Sequence, residues 1–528
     1  MIEKEQNFFE YAYDLFYKFA QTKPEDVGVI FSRDEQYPII KFVPEPDMTI
    51  PLPKKQGENY IFEGMVFENS DNGRKNLWCL FLATLYHMAA HAGKSVYSTY
   101  DQWRQNRTDD FCWRIIDFIE DAIGENYILS REPEVLKNIE NINSKLLYLQ
   151  KTLVETHKKS SKNKSKSYPL DDIETKIKNI KKDIVKKNVG DEGYKENILS
   201  IADFLYKNRE LLPKTILPYC EHHEYRQELK FELNCPEFEP HGIFEEKIAK
   251  LDELWQLNEQ TRARIFRRFR KYIKKLHFDT VVIPSGNLHS YASLKVKTAP
   301  LLRTIRQQIR MITNLTDNPR LGEMGYVDMQ MAIQAIASEG QSTDIFEIDE
   351  RRRGEEAWVI LVDKSASMSL RFDWVKEFTV CMAECANDLT GKHDAWALYT
   401  FDNNFQILKD FKERYNQEVK ARIGDMSGGG LSLLPDAIEL SNRLLNEDPR
   451  EKKYLFIITD GHAAGYEQIH QILSKMVKKL EMSDTSLIAI GVTKKSKGTF
   501  SNVIKATNLK TLVGKFITAY KTVATSDA

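Results

Sequence analysis

The sequence predicts a multidomain protein. A helical N-terminal region containing a helical hairpin precedes a C-terminal α/β domain built on a doubly wound, mostly parallel sheet. Three observations predict it. The chain has 528 residues, more than a single hydrophobic core usually organises. Through much of the region before about residue 345, apolar residues recur at steps of three and four, the helical period. From Glu356, continuous apolar runs alternate with helical stretches. That is the pattern of a parallel sheet covered on both faces.

Composition narrows the classes. Lys and Arg total 76 against 77 Asp and Glu, a formal net charge of −1, with 42% hydrophobic and 29% charged residues. These values suit a soluble globular protein and argue against a bulk polyanion binder. No apolar run approaches the roughly 20 residues of a membrane helix. The polar, acidic start Met1-Ile-Glu-Lys is unlike a secretory signal. The six cysteines, Cys79, Cys112, Cys220, Cys235, Cys381 and Cys385, show no short-range disulfide framework. A reducing cytoplasm is the expected compartment.

Residues 1–130 read as a mainly helical domain. Phe8, Phe9, Tyr11, Leu15, Phe16 and Phe19 follow helical spacing, Pro38 to Pro53 is Pro-rich and reads as irregular, and Leu77 to Ala92 and Phe111 to Ile123 are apolar helices. His87-Met88-Ala89-Ala90-His91 sets two imidazoles at i and i+4 on one helix face, a metal-ligand spacing. Glu120, or Asp121 beside it, is the candidate third ligand from the next helix. A zincin has a glutamate base at the second position of this motif. Met88 accepts no proton, so the motif is at most a degenerate peptidase site, and two histidines hydrogen-bonded in a helical core is the plainer reading. Ala92-Gly93-Lys94-Ser95 has the tail of a phosphate-binding loop, but Met88 stands at its first glycine and a helix precedes it. ATP hydrolysis is therefore expected from another chain.

Residues 131–200 form the hairpin. Val135, Ile139, Ile142, Leu146, Leu149 and Leu153 make one seam, and Ile173, Ile177, Ile180 and Ile184 a second. The Lys/Ser-rich tip runs from Ser160 to Ser167. Eleven Lys against four acids between Lys158 and Lys187 suit a solvated face or a dock for an acidic partner.

Residues 201–354 read as a helical connecting region. Arg262, Arg264, Arg267, Arg268, Arg270 and Lys271 share a helix with Ile265, Phe266, Phe269, Ile273 and Leu276. A helix docked on a core by its apolar face is favoured over a nucleic-acid binder. Cys220, His222, His223, Cys235 and His241 lie close in sequence but fit no standard zinc module.

Residues 355–528 are the α/β domain. Strands are expected at Ala357–Val362, Ala395–Phe401, Tyr454–Thr459 and Ser486–Val492, with helices at Trp374–Leu389, Pro435–Leu445 and Tyr466–Leu480. Cys381 and Cys385 read as small buried thiols on the first helix. The first strand ends in Asp363-Lys364-Ser365-Ala366-Ser367, a D-x-S-x-S motif. The third expected strand ends in Asp460-Gly461, and Ser427-Gly-Gly-Gly-Leu-Ser432 lies between. Ligands of such folds sit beyond the carboxyl ends of the strands. Two carboxylates and three hydroxyls are the oxygen set a hard divalent cation takes.

These residues resemble the von Willebrand factor A domain and its metal-ion-dependent adhesion site. The resemblance covers roughly residues 355–525. Asp363, Ser365, Ser367 and Asp460 match the motif, and Ser432 falls on its loop threonine, with Leu431 where a glycine is usual. It implies Mg²⁺, or another divalent ion such as Mn²⁺ or Ca²⁺, held by Asp363, Ser365, Ser367, Ser432 and Asp460. Within the superfamily the chain is similar to the NorD and CbbO group, related to cobaltochelatase CobT. The C-terminal placing of the domain, Arg320-Leu-Gly-Glu-Met-Gly-Tyr-Val-Asp328 and Phe346-Glu-Ile-Asp-Glu-Arg-Arg-Arg-Gly354 carry this, with the histidine-bearing helix further upstream. The resemblance implies a non-enzymatic adaptor that grips a client enzyme through an Asp or Glu and works with a hexameric MoxR-type AAA+ ATPase. The alternatives are a metal-chelatase subunit, a degenerate metallopeptidase, or an RNA-binding scaffold using the Lys-rich hairpin and the Arg-rich helix.

Overall fold

A computed structural model gives the architecture. It describes residues 7–41, 47–95, 97–105, 107, 111–160, 193–207, 233–316, 321–322, 326–327, 329, 332–333, 346–347, 356–390, 392–491, 500, 503–505 and 509–526. The chain divides into two compact units, Met1–Thr261 with Asn287–His289, and Arg262–Gly286 with Ser290–Ala528. Among the described residues no helix is long and apolar enough to cross a membrane.

The first unit is helical with two small sheets. Helix Phe8–Ala20 begins at Asn7, whose side chain accepts the Glu10 amide at 2.7 Å and so satisfies an open donor of the first turn. Strands β1 (Gly28–Ser32), β2 (Ile39–Lys41) and β3 (Asp47–Pro51) form one sheet in the order β1-β3-β2. The Pro-rich stretch expected to be irregular thus contains two strands. β3 pairs on both sides, and such long-range partners leave no local signal. Pro38 precedes β2 and Pro51 ends β3, positions where a missing amide is tolerated. Strands β4 (Lys54–Gln56), β5 (Asn59–Phe62), β6 (Met65–Phe67) and β7 (Leu233–Asn234) form the second sheet.

Helix Asp71–Lys94 is the centre of this unit. Every residue from Asn76 to His91 is buried, which explains why its sequence is apolar all round. It packs against helices Phe8–Ala20, Phe111–Arg131 and Pro133–Ser160. The first seam of the expected hairpin lies on helix Pro133–Ser160, with Val135, Ile139, Ile142 and Leu146 buried. The second seam, Ile173 to Ile184, and the Lys/Ser-rich residues 161–167 lie outside the described residues. So do Cys220, His222 and His223.

The region expected as a connector contributes to both units. Helix Ile243–Ile273 supplies Phe244, Ile248, Leu251 and Trp255 to the buried set before residue 261, and Ile265 and Phe269 after it. Strands β9 (Leu321–Gly322), β10 (Tyr326–Val327) and β11 (Phe346–Glu347) make a small antiparallel sheet.

The second unit is a seven-stranded mixed sheet. Its strands are β8 (Val281–Val282), β12 (Glu356–Asp363), β13 (Trp396–Phe401), β14 (Phe405–Lys409), β15 (Lys452–Thr459), β16 (Thr485–Gly491) and β17 (Val503–Lys505). The order is β17-β16-β15-β12-β13-β14-β8, parallel except for β13 with β14. Alternate side chains of β12 enter opposite cores. Trp358, Ile360 and Val362 face helices Phe372–Thr390 and Leu509–Ser526, while Ala357, Val359 and Leu361 face Leu434–Asn446 and Ile469–Glu481.

Three of these strands, β8, β14 and β17, carry too few residues to stand out in sequence. Since β14 intervenes, Tyr454–Thr459 is a later strand than the third one expected. The Arg-rich helix docks by its apolar face: Phe269 packs on Tyr399 and Phe405. Arg268 pairs with buried Asp410 at 3.0 Å and with Glu447. Cys381 and Cys385 are buried and reduced, and burial pushes the Cys381 thiol up to about 11.

Candidate metal centre

The carboxyl ends of β12 and β15 lie side by side because the two strands pair in parallel register, Val362 opposite Ile458. Asp363 ends the first and Thr459 the second. Asp363 is fully buried and gathers three stretches of chain. Its Oδ1 accepts the Ser365 backbone N–H at 2.9 Å. Its Oδ2 accepts the Ser432 hydroxyl at 2.9 Å and the Thr459 hydroxyl at 2.8 Å. Ser365 and Ser367 place their Oγ atoms 3.1 Å apart, as alternating residues on one turn should. Asp460 follows Thr459 directly, and one of its oxygens accepts the His462 backbone N–H at 2.9 Å.

A second layer holds the loops. Lys364, the spacer of the motif, pairs with Asp402 at 2.8 Å instead of reaching Asp363. The Lys364 carbonyl accepts the Gly429 amide at 2.7 Å, and the Gly430 carbonyl accepts the Ala366 amide at 3.0 Å. Asn403 Oδ1 accepts the Leu431 amide at 2.6 Å. Gly430 has φ +76°, and a Cβ there would lie 2.9 Å from Asn403 Oδ1 and 3.0 Å from Asp402 Cβ. Glycine is the residue that backbone takes without strain. Leu431, at a position where glycine is usual, sits in the loop with its side chain 47% exposed.

The electrostatics suit a cation. The donors that reach Asp363 among the described residues, the Ser365 amide and hydroxyl with the Ser432 and Thr459 hydroxyls, are all neutral. Burial pushes its carboxyl up to about 6, and the bonds from Ser365, Thr459 and Ser432 limit the rise. A buried carboxylate surrounded by hydroxyl oxygens fits a hard divalent ion, which would compensate its charge. Hydrogen bonds join Asp363 to Ser365 and Ser432 and bring Ser367 against Ser365, while Asp460 is placed only by following Thr459 at the end of β15. Thr459 was missed as a member of the cluster. Its signal was its place as the last residue of an apolar strand, adjacent to Asp460.

The second expected cluster changes by one residue. His87 and His91 face each other, Nε2 to Nε2, at 3.1 Å. The carboxylate that joins them is Asp121, whose Oδ1 lies 3.4 Å from His87 Nε2 and 3.3 Å from His91 Nε2. Glu120 instead accepts the Tyr100 hydroxyl at 2.6 Å. One step along a helix turns a side chain by about 100°, enough to move it to a different face. Burial works to raise the Asp121 carboxyl, but the paired imidazoles outweigh it and hold it well below the usual carboxylate range.

The sequence profile of the von Willebrand factor type A domain matches residues 358–462, a span that holds all five candidate metal-ligating residues. Domains of this type commonly bind a divalent metal. The chain is 27% identical over 172 residues to the uncharacterized protein PA0525 of Pseudomonas aeruginosa, covering 30% of this chain and 27% of that protein. It is 25% identical over 186 residues to protein NorD of Stutzerimonas stutzeri, covering 32% of this chain and 30% of NorD. The chain therefore spans less than a third of the length of these curated relatives. Among solved structures, the PilB minor pilin from Streptococcus sanguinis aligns at 14% identity over 34% of this chain and 64% of the pilin, with a TM-score of 0.27. Proximal thread matrix protein 1 from the mussel byssus aligns at 16% identity over 32% of this chain and 47% of its own, with a TM-score of 0.26.

Proposed function

We propose that this von Willebrand factor A domain protein, similar to NorD, is a non-enzymatic adaptor. It grips a client enzyme through a divalent cation and works with a MoxR-type AAA+ ATPase to activate, remodel or metal-load that client. One observation carries the reading: Asp363 ties Ser365, Ser432 and Thr459 into a buried oxygen cluster at the carboxyl edge of the sheet. Ser365, Ser367 and Ser432, with Asp363 and Asp460, are the residues that would hold Mg²⁺. When bound, the ion supplies a Lewis-acidic position for an Asp or Glu of the client.

The residues around the cluster support docking over chemistry. Leu370, just past the D-x-S-x-S turn, is 98% exposed, and Leu431 is 47% exposed in the loop hydrogen-bonded to that turn. An apolar rim around a polar anchor suits a protein partner. The hydroxyls of Ser432 and Thr459 are spent on Asp363, which orders the cluster before any partner arrives. Preorganisation of this kind lowers the cost of binding.

The test uses the full chain, the candidate ATPase and a client, with pull-downs in Mg²⁺ and in chelator. Capture of the client should need Mg²⁺ and be lost in Asp363→Ala, while ATPase binding persists. Leu370→Ala should weaken client capture without changing Mg²⁺ affinity. Equal capture with and without the ion, or full capture by Asp363→Ala, would overturn the proposal.

A further inference from the structure

We propose that His87, His91 and Asp121 form a second metal site, of zinc type, inside the helical N-terminal unit. The three atoms His87 Nε2, His91 Nε2 and Asp121 Oδ1 form a nearly equilateral triangle with edges of 3.1, 3.4 and 3.3 Å. Zinc ligands at about 2.0–2.1 Å in tetrahedral geometry stand about 3.3 Å from one another. The triangle therefore has the dimensions of one face of a zinc tetrahedron. All three residues are buried, and their ligand atoms converge.

Proton bookkeeping makes the same point. A hydrogen on one Nε2 can point at the other ring or at the carboxylate, not at both. The remaining Nε2 then turns a lone pair toward Asp121 Oδ1. Protonating both rings inward sets two N–H groups against each other at 3.1 Å. With Asp121 ionised, each of these arrangements leaves one edge repulsive. Both imidazole Nε2 atoms lie within 3.4 Å of the single Asp121 Oδ1. A cation at the centre makes all three contacts favourable at once.

The surroundings orient the ligands. His91 Nδ1 lies 2.9 Å from Ser95 Oγ and 3.3 Å from the Tyr97 hydroxyl. An acceptor there holds the proton on Nδ1 and turns the Nε2 lone pair inward. The i, i+4 spacing stacks the two rings on one face of helix Asp71–Lys94. Gly124 faces Ala90 where helix Phe111–Arg131 crosses, so small residues let the Asp121 carboxylate reach the pair. Two imidazoles and a carboxylate suit zinc better than Mg²⁺ or Ca²⁺, which take oxygen sets. Met88 replaces the glutamate base of a peptidase, so the ion fastens two helices and has no hydrolytic partner in that motif.

The test is made on the full chain, stripped with chelator, then dialysed against zinc in excess Mg²⁺. One zinc per chain should remain. It should persist in Asp363→Ala and in Glu120→Gln, and binding should weaken at least tenfold in His91→Ala and Asp121→Asn. Cobalt in its place should give the intense visible bands of a tetrahedral ion. Zinc-edge anomalous scattering from wild-type crystals should place a peak among the three atoms, which decides the matter even where a variant fails to fold. No retained zinc, an anomalous peak elsewhere, an octahedral cobalt spectrum, or full retention in both His91→Ala and Asp121→Asn would each overturn the site.

Discussion

Asp363 concentrates the burden of the candidate metal centre in one buried carboxylate, so the residue-scale predictions start there. Ser432→Ala removes a hydroxyl that bonds Asp363 at 2.9 Å and belongs to the proposed ligand set. Mg²⁺ affinity by calorimetry should fall by at least tenfold. Gly430→Ala should destabilise the domain by about 1–2 kcal/mol and weaken Mg²⁺ binding, because φ +76° and a contact of 2.9 Å both resist a Cβ. Lys409 offers a pH test. Its Nζ is buried, donating to the carbonyls of His393 and Trp396 at 2.7 Å each, and burial lowers its pKa to about 7. The folded state then holds fewer protons than the unfolded chain between about pH 7 and the usual lysine value. Stability from this group rises with pH across that window. Urea unfolding at pH 7 and pH 9 should show wild type gaining on Lys409→Met. No gain would mean that the ammonium is not depressed. The meeting of Asp363, Ser365 and Ser432 was legible in sequence because a motif of spaced oxygen donors survives without coordinates. The exchange of Glu120 for Asp121 was not, since adjacent helical residues differ only in the face they present.

Among elements, the Arg-rich helix is the case in which a charge run changes meaning. Its sequence favoured a helix docked by its apolar face over a polyanion surface. Ile265 and Phe269 are buried in the sheet's core, and Arg268 is drawn into ion pairs with Asp410 and Glu447. Arg268→Ala should cost about 2 kcal/mol in chemical denaturation, the usual penalty for a stranded buried carboxylate reduced for the partial exposure of the arginine. An unchanged midpoint would show that Asp410 finds another partner. The long strands β12, β13, β15 and β16 were legible because each carries a continuous apolar run. Strands β2 and β3 were hidden under prolines, and β8, β14 and β17 under their brevity. Their pairing depends on neighbours distant in sequence, which propensity does not encode.

For the whole molecule, two compact units each carry a candidate ion site of different chemistry. Scanning calorimetry of the full chain should resolve responses that separate by ion. Mg²⁺ should raise the transition of the unit holding Asp363, and zinc the transition of the unit holding His87. Asp363→Ala should remove only the first shift, since a ligand stabilises the unit it binds. A single transition moved by both ions would tie the two sites into one cooperative body.

The amino-acid sequence by itself determined the α/β class of the second unit, the helical class of the first, and the oxygen-rich composition of the candidate metal centre. Apolar periodicity and motif spacing are local properties, written residue by residue along the chain. Only the tertiary structure decided that Thr459 joins Ser432 on Asp363, that Asp121 and not Glu120 meets the histidines, and that Arg268 pairs with Asp410 and Glu447. Those outcomes depend on which faces meet across long stretches of chain, and packing selects among faces that the local pattern leaves equivalent.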